Sequence, residues 1–533
     1  MFKNIGKRSF DWVSFTGLAI ITVCMFLWLI NMPIDAIIGW ADMSGWVASG
    51  HDFANGNFLL SGWYGGTGTE YFPKRLLHGI TALFSRNWHM SFVWAEFIIL
   101  CTTFLGMCLV CKSLVKDKFN PLLFIGTIAI FIGGIGMPNL AWTNHLGVIG
   151  FMLFAIYLLY KPSLASADNP MKLKSFFIVI GIIALVSDNY FLLYFLAPYL
   201  IERTIAYIHT KKFDRRLLWV FAGLACRVLI NALIKIAPHP EYAHQLKFTD
   251  KVDVFPKLQD LCFSIFDGFN GSIWGNSLFT YHTVYFIAIL AMITVTLLLL
   301  RDKFSKKWMP QNKTRSADSG NLLNFLVISS ILVIAASIFA MNVFLHERNI
   351  VPPRYLIGFY INGAILLAVC LHKFVKKQWM AQVFMAAALA LSIWSSRGMF
   401  KDAERNIMYR NAASVIGNLS TECGYASSTF ANNVNVYLNR RQLVNFEAFA
   451  NNPERSKSCP ANFIVQSVGR NWKTKDEGVF ESILAQQILG EPKQVINFDA
   501  GAWSQTMGRG LVIYVYDYDI SKRVVPIAAA SLK

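Results

Sequence analysis

Acidic residues gather early in the chain, at Asp35, Asp42 and Asp52, with Glu70 further on. The stretch reads Asp35-Ala-Ile-Ile-Gly-Trp-Ala-Asp42-Met-Ser-Gly-Trp-Val-Ala-Ser-Gly-His-Asp52-Phe-Ala-Asn-Gly56, with Trp40, Trp46, Val47 and Phe53 at helical spacing. Such segments suit helices that lie in a membrane interface and hold a carboxylate just above the bilayer. A carboxylate there can serve as general base, taking the proton of an acceptor hydroxyl or amine as a new bond forms at carbon. Glu70, in Gly65-Gly-Thr-Gly-Thr-Glu70-Tyr71, is either a second working carboxylate or a solvated loop residue.

A second group lies late in the chain, at His346-Glu-Arg348-Asn-Ile-Val-Pro-Pro-Arg354-Tyr355-Leu. An Arg at the mouth of a membrane helix can make charge-assisted, bidentate bonds to a phosphate and stabilise it as a leaving group. The alternative for Arg354 and Arg348 is snorkelling to lipid headgroups. Ser187-Asp188-Asn189-Tyr190 sits between two apolar runs, and an ionisable residue at such depth needs a cavity or a partner. Asp188 and Asn189 therefore line a cavity or pair with Arg227 and Lys235, and Asn144-His145 lines the same cavity or makes a polar turn.

Hydrolase triads, His-Glu-x-x-His, Walker loops and Cys/His zinc spacings are missing from the sequence. Asp517-Tyr-Asp519 lies beside an expected strand and does not read as a metal site. Nothing in the pattern calls for a cofactor, and the question of a divalent metal stays open.

The elements that must position these residues are membrane helices. Of 533 residues, 55% are hydrophobic and only 15% charged, too few charges to cover a soluble surface. The +18 net charge is spread between apolar runs rather than gathered on one face, which argues against nucleic acid. About eleven spans are expected, near 12–32, 91–110, 121–137, 146–160, 173–187, 190–206, 216–236, 282–300, 322–343, 355–372 and 379–396. With Lys3, Lys7 and Arg8 cytoplasmic, strict alternation puts the clusters at Lys112/Lys116/Lys118, Lys211/Lys212/Arg215/Arg216, Lys303/Lys306/Lys307 and Lys373/Lys376/Lys377 on that side too. The expected organisation is a membrane module over 1–396 and a periplasmic domain over 397–533. Within the module, 33–90 and 237–281 form large periplasmic loops, the first built of interfacial helices. Outside the cytoplasm there is no nucleotide-sugar, so a donor must arrive already activated on a lipid.

In the tail, Asn462-Phe-Ile-Val-Gln and Leu511-Val-Ile-Tyr-Val-Tyr read as strands and 480–489 has helical spacing, predicting a small α/β domain. Cys423 and Cys459 are its only cysteines and are candidates for a disulfide in an oxidising compartment.

An acidic residue soon after the first helix, Gly56 fourteen residues beyond Asp42, and Phe72-Pro73-Lys74 before the second span together resemble the first periplasmic loop of the C-type membrane glycosyltransferases. That superfamily includes protein O-mannosyltransferases, the lipid A aminoarabinose transferase and O-antigen glucosyltransferases. Arg354-Tyr355-Leu at a helix entry resembles the same superfamily. The resemblance implies Asp42 as catalytic base with Asp35 as runner-up, and it departs from many relatives in having Met43 where they carry a second acidic residue. It implies an α-helical polytopic protein of a bacterial inner membrane, N-terminus inside, that moves a sugar from a polyprenyl-phosphate donor to a glycan or lipid-linked glycan acceptor such as O-antigen. Arg354, with Arg348, His346, Lys74 and Tyr355, would hold the lipid phosphate. The rival readings are a transporter or flippase of lipid-linked saccharides and an O-antigen ligase or polymerase.

Overall fold

The computed structural model describes residues 12–31, 42–58, 74–142, 144–160, 190, 192–211, 213–214, 216–236, 254–274, 276–277, 279–304, 317–343, 353–397, 403–419, 423–426, 428–439, 443–445, 460–469, 488–498, 509–521 and 523–524.

Helix α1, Trp12–Asn31, is followed by two short helices, α2 (Asp42–Ala54) and α3 (Leu76–Phe84). The long α4 (Trp88–Val115) starts where the Asn87 side chain accepts the Met90 N–H at 2.9 Å, a cap for an otherwise orphaned donor. Asn120 caps α5 (Pro121–Ile135) in the same way, with Pro121 in the first turn where its missing N–H costs nothing. Gly136, at φ +79°, ends α5 in a conformation open to glycine and lets the chain re-enter as α6 (Met137–Trp142). Then come α7 (Asn144–Leu159), a π-turn over Leu192–Leu196 leading into α8 (Ala197–Thr210), α9 (Arg216–Ile236), α10 (Val254–Asp267), α11 (Tyr281–Phe304), α12 (Ala317–Val343), α13 (Pro353–Phe374) and α14 (Gln378–Ser396).

Six helices among the described residues are long and apolar enough to cross a membrane, and Pro121–Ile135, Leu146–Leu159 and Arg216–Ala225 are shorter apolar helices. The protein is thus a multi-pass membrane protein, although the expected count of eleven is not established. The span expected at 173–187 falls outside the described residues. At 190–206 the expected helix begins as the π-turn and runs on to Thr210.

The bundle is built around α5, which is apolar on all sides and buried from Leu122 to Ile135. It packs against α14 and α13, while α4 packs along α7. Hydrogen bonds between helices fix the register: Tyr194 Oη donates to Asn362 Oδ1 at 2.7 Å, and Asn362 Nδ2 donates to the Leu326 carbonyl at 3.3 Å.

Beyond α14 the character changes. Helices α15 (Ala403–Gly417) and α16 (Ser428–Leu438) accompany five strands: β1 (Cys423–Ala426), β2 (Leu443–Asn445), β3 (Ala461–Gly469), β4 (Gln494–Phe498) and β5 (Arg509–Val515). The sheet order is β2-β1-β3-β5-β4. β1 runs parallel to β2 and β3, while β5 lies antiparallel between β3 and β4. Alternation along β3 sends Phe463 and Val465 into a core with α15 and α16, and Ile464 into a second core with Tyr425 and Tyr516. Both strands foreseen in the tail are present as β3 and β5. Cys423 is disulfide-bonded; Cys459 lies outside the described residues, as does nearly all of the helix expected at 480–489.

Candidate active site

The candidate site is the corner where α2 and α3 pack on the Trp88 end of α4. Trp46 and Val47, two residues of the expected apolar stripe, point into this corner and are buried against protein, while Trp40 lies outside the described residues. The approach is close because Gly50 has no side chain: a Cβ there would lie 2.6 Å from His78 Cβ and 2.7 Å from the His78 carbonyl carbon. Gly79 completes the contact against the Phe53 ring.

Beneath the two helices sits a buried charge cluster. Lys74 Nζ donates to Glu96 at 3.0 Å (Oε1) and 3.2 Å (Oε2) and to the Ala141 carbonyl at 2.7 Å, with the Trp46 ring centroid 4.2 Å away. Glu96 is 0% exposed and Lys74 2%. Two charges taken out of water hold together only when their remaining donors and acceptors are met, and Ala141 and Trp46 do this for the ammonium. His78 Nε2 stands 3.4 Å from Glu96 Oε1, and burial holds its imidazole below the ordinary histidine range against the pull of that carboxylate. His51, on α2, bonds Ser91 Oγ at 3.1 Å and stacks on Trp88 at 4.5 Å. Burial, then the neighbouring His78, push its pKa down to about 4, with Asp52 opposing.

Asp42 is the first residue of α2, one turn ahead of Trp46. Its side chain is outside the described residues, as are Asp35 and Glu70. On the other flank, Ala141 belongs to α6, and α6 packs against α13. Arg354 lies in the first turn of α13, its side chain outside the described set, together with Arg348 and His346. Tyr355 is half-buried; Tyr190 Oη donates to its carbonyl at 3.2 Å and in turn accepts from the Gly358 N–H at 3.2 Å. Asp188 and Asn189 are outside the description, but Tyr190 directly after them is thereby tied to the start of α13. His145 is in the first turn of α7, its side chain likewise not described. Contacts therefore run from Trp46 through Lys74 and Ala141 to α6 and on to α13, linking the helices that carry Asp42 and Arg354.

Sequence reasoning missed Glu96 and His78. The signal for Glu96 was available, since a lone carboxylate inside a 28-residue apolar helix must meet a cation. Lys74 was foreseen as a phosphate ligand; here it holds an internal partner. Among the described residues no group of three or more His, Cys, Asp or Glu could hold a metal ion.

No family model and no curated protein matches the chain. Solved structures do. The structure of ArnT from Cupriavidus metallidurans bound to undecaprenyl phosphate superimposes with a TM-score of 0.54 at 13% identity, covering 94% of this chain and 99% of that one. ArnT from the same organism in the apo state gives 0.51 at 11% identity, covering 96% and 98%. At these identities the likeness concerns the fold, and it extends over nearly the whole of both chains.

Proposed function

We propose that this chain is an integral-membrane glycosyltransferase that moves a sugar from a polyprenyl-phosphate donor to a glycan or lipid-linked glycan, such as an O-antigen chain. The observation that carries this reading is the fold, which over 94% of the chain resembles that of ArnT solved with undecaprenyl phosphate bound. It gains support from the way α2, beginning at Asp42, is seated over the Lys74–Glu96 pair and linked through α6 to the helix beginning at Pro353.

In this reading the polyprenyl tail lies between helices and its phosphate rests near Arg354, with Arg348, His346, Tyr355 and Lys74 in support. For Lys74 to reach a phosphate it must exchange one of its bonds to Glu96 or Ala141. The acceptor oxygen attacks the anomeric carbon as its proton passes to the Asp42 carboxylate. The bond from that carbon to the phosphate oxygen breaks, and its electron pair leaves with the polyprenyl phosphate, whose new charge the arginine stabilises. One in-line displacement of this kind inverts the anomeric centre. Asp35 and Glu70 are the alternative bases. The active face is extracytoplasmic in an inner membrane, since a lipid carrier is needed only where nucleotide-sugars are absent.

The test is turnover by purified wild type given a panel of polyprenyl-phosphate sugars and glycan acceptors, read as released polyprenyl phosphate and as the anomeric configuration of the product by NMR. Release with inversion supports the proposal. Movement of intact lipid-linked saccharide across vesicles without release would instead identify a flippase.

A further inference from the structure

A cleft of about 500 Å³ lies where α15 and α16 meet the start of α4, and neither Lys74 nor Glu96 is among the residues that line it. This is within the ~300–1,000 Å³ range of small-ligand sites. The junction is anchored because the Trp88 N–H donates to Asn439 Oδ1 at 2.8 Å and α16 packs on both α2 and α4.

The lining combines polar hydrogen-bonding groups with an aromatic face. Arg410 is exposed, its guanidinium carbon 5.6 Å from the Tyr437 ring centroid. His89 is 6% exposed, its ring 5.6 Å from that of Tyr437, and its Nε2 is buried with no hydrogen-bond partner. A buried imidazole nitrogen left unbonded costs free energy unless something that enters the cleft satisfies it. Asn87 and Ser414 add hydrogen-bonding groups, and no Asp or Glu appears among the described lining residues. With no carboxylate among the described lining residues, the Arg410 guanidinium favours an anion, and an arginine fork suits a carboxylate or phosphate held in its plane. Tyr437, shared with His89 and Arg410, adds an aromatic ring to the lining, the kind of surface a pyranose ring packs against.

We propose that this cleft binds an anionic sugar residue, one carrying a carboxylate or phosphate, with Arg410 on the anion and His89 Nε2 on a ring hydroxyl. That this sugar belongs to the acceptor rests on the glycosyl-transfer reading; the binding itself does not. The cleft would then hold the acceptor chain from the side of the sheet domain while its end reaches α2.

The test is titration of wild type in phosphatidylcholine nanodiscs with glucuronate, glucose 6-phosphate, glucose and inorganic phosphate, followed by saturation-transfer NMR. Glucuronate and glucose 6-phosphate are expected to bind at least about tenfold tighter than glucose or inorganic phosphate, since the charge-assisted bond and the ring contact are both needed. Arg410→Gln is expected to weaken the two anionic sugars by about tenfold or more, and Ser414→Trp to block them by filling the cleft. Asp42→Asn should leave this binding unchanged, which separates it from the catalytic reading. No binding, equal binding of glucose, or unchanged binding in Arg410→Gln and Ser414→Trp would overturn the proposal. So would competition by inorganic phosphate or added phosphatidylglycerol as strong as that of the sugar phosphate, which would assign the cleft to a lipid headgroup.

Discussion

At the scale of single residues, the strongest local commitment is the Lys74–Glu96 pair, because neither charge has water to fall back on. Removing one partner leaves the other buried and uncompensated. Glu96→Ala should therefore destabilise by about 3–5 kcal/mol, seen as a lowered midpoint of thermal unfolding. A midpoint equal to wild type would mean that Lys74 has another anion. His51 makes a pH-dependent contribution. Its folded pKa of about 4 lies below the 6.5 of the free side chain, so the unfolded chain takes up a proton first as pH falls. Stability is expected to be full above pH 6.5 and to decline from 6.5 towards 4, with buried His78 acting in the same direction. His51→Gln should flatten that decline in unfolding curves collected across the window; an unchanged slope would assign it to other groups.

At the scale of elements, the α2–α3 contact is set by a missing side chain. A Cβ at Gly50 meets backbone of α3 at 2.7–2.8 Å, so Gly50→Ala forces the two helices apart. The expected cost is about 1–3 kcal/mol, the usual range for overpacking, together with reduced turnover as α2 shifts. Wild-type activity and stability in that variant would show that the corner tolerates displacement.

The helices were legible because long apolar runs bounded by charge have few other fates: Arg216–Ile236 was anticipated to the residue, and Trp12–Asn31, Pro353–Phe374 and Gln378–Ser396 to within two. Two of the five described strands, β3 and β5, were legible from β-branched and aromatic runs, whereas β1, β2 and β4 were not. What was not legible was partnership. Nothing in the local pattern says that Trp46 turns toward protein rather than lipid, that Lys74 meets Glu96 twenty-two residues on, or that Asn439 caps contacts at Trp88. These depend on how helices distant in sequence pack, which periodicity does not encode. The parallel pairing of β1 between β2 and β3 is equally a long-range choice.

At the scale of the whole molecule, a helical bundle carries a small mixed sheet, and α16 clamps the two by packing on α2 and α4. The helix that begins at Asp42 is thus held from both sides, by the bundle below and the sheet domain beside it. In the proposed reading, that arrangement suits a base that must meet a membrane-borne donor and a bulky acceptor at once. The most direct test is polyprenyl-phosphate release by Asp42→Asn beside wild type, in preparations matched for folding and lipid binding. A fall of about a hundredfold or more is expected, the contribution of a positioned general base. Full activity in Asp42→Asn would contradict the assignment and pass the role to Asp35, Glu70 or Asp188.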